Sequence, residues 1–489
     1  MSTLVPSPSH AAPLYDDHGH RHRWWVLVVV MVADVMDLLD ATVANLAGPS
    51  IRADLGGSST TLQWVLAGYT LPFAVGLVTS ARLGDLVGRR RMFLLGMVGF
   101  TTASLLCGLA PSAGLLIAAR CAQGLFGAVM IPQGLAMVKA SFIEADLQRA
   151  FIPFGPVMGL AAVLGPILAG FLIDADVLGS GWRAIFWINV PVGAAASWLA
   201  FRFLPRTLAR DRRARLDWVG ATLLTAASAS LIYPLVQGRE QGWPTWMFVL
   251  LGLSGVLFGL FAVSERRSGH PVIEPSLFGH RGFVGGLLFL GTFFTAMSGL
   301  LLVINLFLQY GLRFTPMHAG LAMSPWALGM AIGAALSGAV LGRRFGRRVL
   351  HGGLVVLGAG LLVVWWTVGH GGAATTGLAL APGFLLMGVG SGSVFAPLFD
   401  IILAALGDHE IGTGSGLLNA VQQFCGALGV AVLGTLFFHW LPAHGFVPAT
   451  RWLVLVAAAC YAVSYAVVFL LPRAARQPEA DAGPEAQVA

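Results

Sequence analysis

Apolar runs of about 20 residues recur along this chain from Trp24 to Leu471, each long enough to cross a bilayer. That recurrence restricts the fold more than any single motif. Hydrocarbon offers no water to backbone N–H and C=O groups, so a spanning segment must be a helix or part of a closed barrel. Continuous apolar runs of this length are helical. Composition agrees: 57% of the 489 residues are hydrophobic and 10% charged, against roughly 25% charged in soluble proteins. The chain reads as an all-α polytopic membrane protein. No soluble domain fits, because the longest polar gap within the body is the Arg-rich stretch around 205–215.

Residues 1–23 are polar, and the first apolar run is too long and too acidic for a cleavable signal. That tail and residues 472–489 read as disordered cytoplasmic tails. His10, His18, His20 and His22 fit a solvated basic tail better than a metal site. Cys107, Cys121, Cys425 and Cys460 lie in or beside apolar runs without a C-x-x-C pair, so they read as small core residues. No metal or cofactor is expected. Lys139 is the one lysine, and no G-x-x-x-x-G-K-[ST] loop occurs, which excludes an ATP-driven pump on this chain.

Fourteen helices are expected, at about 24–48, 62–83, 91–110, 113–139, 149–173, 183–204, 216–236, 245–264, 282–309, 317–341, 349–368, 375–398, 411–438 and 450–471. Lys and Arg concentrate in cytoplasmic loops. With the N-terminus inside, 22 of the 29 Lys and Arg residues fall in cytoplasmic loops and tails. Arg52, Arg183, Arg239, Arg313 and Arg451 fall outside, while Arg82 and Arg120 lie within helices. A miscounted span would invert this bias partway along, and it never inverts. Both termini are therefore expected in the cytoplasm. The net charge of +7 follows from topology and asks for no nucleic-acid partner. The loop RTLARDRRARLD (206–217) offers a contact to anionic membrane lipids instead.

The segment VADVMDLLDATVANLAGPS (32–50) places Asp34, Asp37 and Asp40 in the first helix. Helical residues three apart are displaced by about 60°, so the three carboxyls share an arc of roughly 120°. Intramembrane acids usually face a water-filled cavity, where they carry protons or pair with cations. The bland alternative is that one or two are protonated and hydrogen-bonded to neighbouring helices. Asp400, in APLFDII (396–402), is expected just past the twelfth helix. Arg120, in AARCAQGLFGAVMIPQG (118–134), is a further costly charge within the membrane.

The loop ARLGDLVGRRRMFLLG (81–96) combines turn glycines with Asp85 and an arginine cluster. AVLGRRFGRR (339–348) echoes it, with Arg343 where Asp85 stands, as two related halves would. AAVLGPILAG (161–170) sets small residues, which allow close helix approach, around the helix-bending Pro166. Leu83, Asp85, Gly88, Arg89 and Arg90 resemble the G-x-L-x-D-x-x-G-R-R signature of the major facilitator superfamily, with Ala81 replacing its first glycine. Arg120, Gln123 and Gly124 resemble that family's helix-4 motif. Gly165, Pro166 and Gly170 resemble its helix-5 antiporter motif, with Ala161 and Ala169 as departures. LLDATVANLAGPSI (38–51), WRAIFWINVPVG (182–193), LDWVGATLL (216–224), HPVIEPSLF (270–278) and GTGSGLLNAVQQFCGALG (412–429) are similar to segments of its fourteen-span drug:proton antiporters. The resemblance covers about 24–471.

It implies a major facilitator fold: six-helix bundles at 24–204 and 281–471, and a linker region, 205–280, carrying two additional transmembrane helices. It also implies a monomeric antiporter in a bacterial plasma membrane, not an enzyme, that exports amphiphilic drugs, antibiotics or secondary metabolites. Its energy source is the proton gradient. Asp40 and Arg120, with Asp34 and Asp37, are then the proton-coupling candidates. Asp85, Gly88, Arg89, Arg90, Gly165, Pro166 and Gly170 form the gating set. Asn45, Gln123, Gln309, Asn419, Gln422 and Gln423, with the aromatics Trp64, Tyr69 and Trp326, are the substrate candidates. Amphiphilic ligands are held by apolar and aromatic surface with a few placed polar groups, although bilayer or core packing explains any single aromatic better. An importer or lipid translocator on the same fold is the alternative. An intramembrane sensor or enzyme has no metal constellation or nucleophile–base pair to support it.

Overall fold

A computed structural model describes residues 15–16, 19–143, 146, 150, 153–176, 179–205, 217–268, 273–407 and 410–473. His10, His18, the basic loop residues 206–216 and the tail from 474 lie outside these. Apart from the paired two-residue strands Tyr15–Asp16 and Gly19–His20, the architecture is helical. The first half comprises α1 (Arg23–Leu55), α2 (Ser59–Val87), α3 (Arg89–Gly108), α4 (Ala113–Ser141), α5 (Phe154–Asp174) and α6 (Gly181–Phe203). Next come α7 (Trp218–Gln237) and α8 (Thr245–Arg267). The second half comprises α9 (Arg281–Leu306), α10 (Pro316–Leu336), α11 (Arg348–Gly371), α12 (Gly377–Leu403), α13 (Ile411–His444) and α14 (Phe446–Val467). Among the described residues, eleven helices are long and apolar enough to cross a membrane. The other long helices are α1, which carries the three aspartates, α2 and α5.

Local chemistry sets the breaks. Ser58 and Thr61 close a capping box at the start of α2, and Ser112, Asp217, Thr315 and Thr376 cap α4, α7, α10 and α12. Gly88, at φ 107°, reverses the chain between α2 and α3 in a conformation only glycine takes freely. Three ends extend furthest beyond the sequence expectation, and α2 runs to Val87, so Asp85 lies in its last turn and not in the loop. α1 runs on to Leu55 and α13 to His444, with Pro49 and Pro442 inside them. α12 reaches Leu403, so Asp400 lies within the helix, exposed near its end, and not beyond it.

α1 to α6 pack among themselves, as do α9 to α14, and the halves meet where α5 packs on α10, α2 on α13, and α1 on α9 and α10. The tightest pairing, α10 with α12, joins two G-x-x-x-G faces. A Cβ on Gly329, Gly333, Gly388 or Gly392 would fall 2.3, 2.1, 2.1 or 2.0 Å from a carbonyl oxygen of the other helix, so only glycine permits this approach. α7 packs on α8 and touches both α2 and α13, placing the inserted pair beside the seam between halves. Large apolar side chains such as Phe201, Val249 and Leu378 point outward, as a surface solvated by lipid requires.

Candidate functional site

A cavity of about 280 Å³ lies between the halves, walled by α1, α2, α4 and α5 on one side and α9, α10, α12 and α13 on the other. Asn45, Tyr69, Trp326, Gln422 and Gln423 all line it, as do Arg120 and Pro166.

Behind the Tyr69 wall sits a closed polar network. Asp40 is 4% exposed and Arg120 1%. The Arg120 guanidinium donates through Nη1 to Asp40 Oδ2 and, at 2.8 Å, to Gln123 Oε1, and through Nε to the Val65 carbonyl at 3.2 Å. The other carboxylate oxygen, Oδ1, accepts from Gln123 Nε2 at 2.7 Å and Asn189 Nδ2 at 3.2 Å. Both amides also donate to Ser104 Oγ, at 3.3 and 3.0 Å. Both Asp40 oxygens are thus satisfied, as a carboxylate this deep must be. Arg120 also lies 4.3 Å from the Tyr69 ring centroid and 5.7 Å from that of Phe186, which places aromatic faces around a desolvated cation. Gln123, expected to touch substrate, is fully buried here and serves the ion pair.

Asp37 and Asp34 are half-buried on the same helix. Tyr69 donates its hydroxyl to Asp37, so one ring touches the cavity, the second aspartate and the arginine. The cavity wall itself includes none of the three carboxyls. The 60° offset between successive aspartates puts Asp40 inward, between α4 and α6.

Hydrogen bonds between the halves join α2 to α13, through Gln63 and the Val430 and Ala431 carbonyls, and α10 to α5, through the Met317 amide and Asp174, and others bring together α1 and the end of α9. Pro49 has no N–H, so the carbonyl of Asn45, four residues earlier, lacks its helical donor. Asn305 Nδ2 supplies one. Gln309 donates to the Leu46 carbonyl at 2.7 Å and to Asn305 Oδ1 at 2.9 Å, and the Tyr310 hydroxyl reaches the Pro49 carbonyl at 3.4 Å. Gln309 sits in a π-turn, Phe307–Gly311, that closes α9. It is a seam residue outside the cavity wall.

Trp64 is also displaced from its expected place. Its indole N–H binds Gln237 Oε1 of α7 at 3.2 Å and its ring packs on Tyr233, so it faces the inserted pair. Asn419 is exposed and donates to its own helix, at the Ser415 carbonyl, 3.0 Å away. Neither lines the cavity. Asp85 pairs with Arg89 at 3.0 Å, one turn away in sequence, and Arg90 donates to the Phe201 carbonyl of α6 at 2.6 Å. In α5, a Cβ on Gly165 would meet Thr42 Oγ1 of α1 at 2.8 Å, and one on Gly170 the Met317 backbone at 2.6 Å; a Cβ on Gly320 of α10 would lie 2.3 Å from the Pro166 carbonyl. The small-residue motif of α5 therefore fits it between the two halves.

Sequence reasoning missed Ser104, Asn189 and Asn305. An asparagine inside an apolar helix, as in FWINVP or LLVINL, was the available signal for two of them. Ser104 carried none.

The sequence model of the Major Facilitator Superfamily matches residues 30–430 and 288–488. A probable actinorhodin transporter of Streptomyces coelicolor is 50% identical over 426 residues, covering 86% of this chain and 74% of its own. The puromycin resistance protein of Streptomyces alboniger is 36% identical, covering 92% and 89%. The crystal structure of an auto-inhibited POT family peptide transporter matches in fold, with a TM-score of 0.66 at 13% identity over 93% of this chain and 98% of that one.

Proposed function

The chain belongs to the major facilitator superfamily, and on that premise we propose that it is a proton-coupled antiporter exporting amphiphilic small molecules across a bacterial plasma membrane by alternating access. All of α1 to α14 cross the bilayer with both termini cytoplasmic, as the distribution of Lys and Arg favours. Two six-helix halves, 24–204 and 281–471, then move about the central cavity, with α7 and α8 inserted between them. In this orientation the α1–α9 seam is on the outer side.

One observation carries the reading: a buried ion pair, Asp40–Arg120, has its arginine in the cavity wall and its carboxylate directly behind it. Such a pair is seldom worth its desolvation as a structural element, because packed apolar side chains do as well or better. Its use lies in what a proton does to it. A proton arriving at Asp40 from outside cancels the carboxylate and leaves Arg120, itself part of the wall, without its counter-charge. The wall rearranges, substrate leaves outward, and loss of the proton to the cytoplasm restores the pair. The gradient supplies about 2.3 kcal/mol per charge per 100 mV and about 1.4 kcal/mol per pH unit. The names of the Streptomyces relatives, a probable actinorhodin transporter and a puromycin resistance protein, favour antibiotics or secondary metabolites as the cargo.

Everted membrane vesicles energised by respiration test this. They are expected to accumulate a fluorescent amphiphile and to lose it when an uncoupler is added. Accumulation that survives complete collapse of the gradient, or flux only in the opposite direction as an importer would give, overturns the reading.

A further inference from the structure

We propose that the cavity selects uncharged aromatic molecules bearing carbonyl or hydroxyl groups, and that Trp326 of α10 and the consecutive Gln422 and Gln423 of α13 read those groups. This deepens the transport reading above and rests on it. The first support is the charge of the wall. Among the described residues it contains no carboxylate, and its single charged side chain, Arg120, is committed to Asp40. A cationic ligand would meet a guanidinium with no anion to pair with. An anionic one would have to compete with Asp40 for Arg120. A neutral ligand incurs neither desolvation problem.

The second support is the surface offered to a ring. Tyr69, Phe294, Trp326 and Phe395 contribute aromatic area from four different helices, enough to hold a planar molecule by offset or edge contacts. The third is unspent hydrogen-bonding capacity. Trp326 is 7% exposed, and its indole N–H has no partner among the described residues. Buried donors are nearly always satisfied, and an orphan at a ligand cavity points to a partner that arrives with the ligand. Gln422 and Gln423 are half-buried in the same wall and make no side-chain hydrogen bond among the described residues. Each amide offers a donor and an acceptor, so the pair can read a hydroxyl and a carbonyl on one ring system. Rejection then follows from the same atoms: a ring without polar groups leaves Trp326 unpaired, and a charged one leaves its charge unpaired.

The test is equilibrium binding by titration calorimetry to the full-length protein in detergent, at fixed pH and with no gradient. Three ligands share one ring system: 2-(hydroxymethyl)anthraquinone, anthraquinone-2-sulfonate and a trimethylammoniomethyl anthraquinone. The neutral compound is expected to bind at least tenfold more tightly than either charged one. Trp326→Phe, which keeps an aromatic ring of smaller size and removes the N–H, should weaken the neutral compound severalfold. Gln422→Glu, which sets a carboxylate in the wall at nearly constant shape, should shift preference toward the ammonium compound. Equal binding of all three, tighter binding of a charged one by the wild type, or no binding by monodisperse protein overturns the proposal. Because no gradient is present, selective binding by a protein that fails the vesicle test would sink only the transport reading, and non-selective binding by an active exporter would sink only this one.

Discussion

Replacing Asp40 by Asn separates what the buried ion pair does for the fold from what it does for transport. The amide keeps the shape and an oxygen that can still accept from Gln123 and Asn189. It leaves Arg120, 1% exposed, as a cation without a counter-charge. Breaking a buried pair from one side typically costs about 3–5 kcal/mol. The lower end applies here, because the Gln123 oxygen, the Val65 carbonyl and the Tyr69 and Phe186 rings still solvate the guanidinium. The expected loss is therefore about 3 kcal/mol, roughly a hundredfold in the unfolding equilibrium. Removing the stranded charge as well, in Asp40→Asn/Arg120→Gln, should recover about 2 kcal/mol of that, since residues in one network do not add. Denaturant titrations of the purified single and double variants in detergent measure both quantities. Transport, in contrast, should stay absent in the double variant, because no titrating carboxyl has been returned. A single variant as stable as wild type, or a double variant no better than the worse single one, would refute the account of the pair.

Three further outcomes follow from the geometry. Gly320→Ala sets a Cβ 2.3 Å from the Pro166 carbonyl, overpacking typically worth about 1–3 kcal/mol; it should bias the protein against the closed α5–α10 seam, read as increased labelling of a cysteine placed at that seam, and unchanged labelling would contradict it. Asp85→Asn removes an i,i+4 pair whose side chains are 36% and 37% exposed, so stability should change by no more than about 0.5 kcal/mol, while a gating role would slow transport at equal expression; normal turnover would leave Asp85 as an ordinary residue at the end of α2. In the α7–α8 connection, burial pushes the Glu240 carboxyl up, but hydrogen bonds from Ser58 and Thr60 and the Arg239 charge hold it below the ordinary carboxylate value. A lowered folded value means stabilisation that is complete above pH of about 4.3 and lost as pH falls through the folded value. The protection factor of the Thr60 amide, which donates to Glu240 Oε1 at 3.3 Å, should therefore fall on acidification in wild type and lose that pH step in Glu240→Gln.

Hydropathy exposed the helical architecture because lipid forces every long apolar run to satisfy its own backbone. Helix ends were less legible. Pro49 reads as a stop, yet α1 continues through it because Asn305 of α9 meets the freed Asn45 carbonyl, a contact between segments 260 residues apart. The three aspartates and Arg120 stood out because charge inside hydrocarbon is costly. Which aspartate would be sealed and which half-buried could not be read from an arc of roughly 120°, since it depends on where α4 and α6 pack. Trp64 shows the same limit from the other side: an aromatic on α2 looks like a cavity residue until α7, placed by tertiary packing alone, takes its indole N–H. Ser104 is one of many serines in apolar helices, and only the convergence of Gln123 and Asn189 on its hydroxyl distinguishes it.

Proton coupling, as proposed, rests on Asp40. Proteoliposomes of wild type and Asp40→Asn, at matched protein content and with a pH dye inside, measure it when substrate is added. Wild type should give substrate-driven proton movement that scales with substrate flux, and Asp40→Asn should give none while still binding substrate in detergent. Wild-type proton movement from Asp40→Asn would contradict the account and pass the role to Asp34 or Asp37.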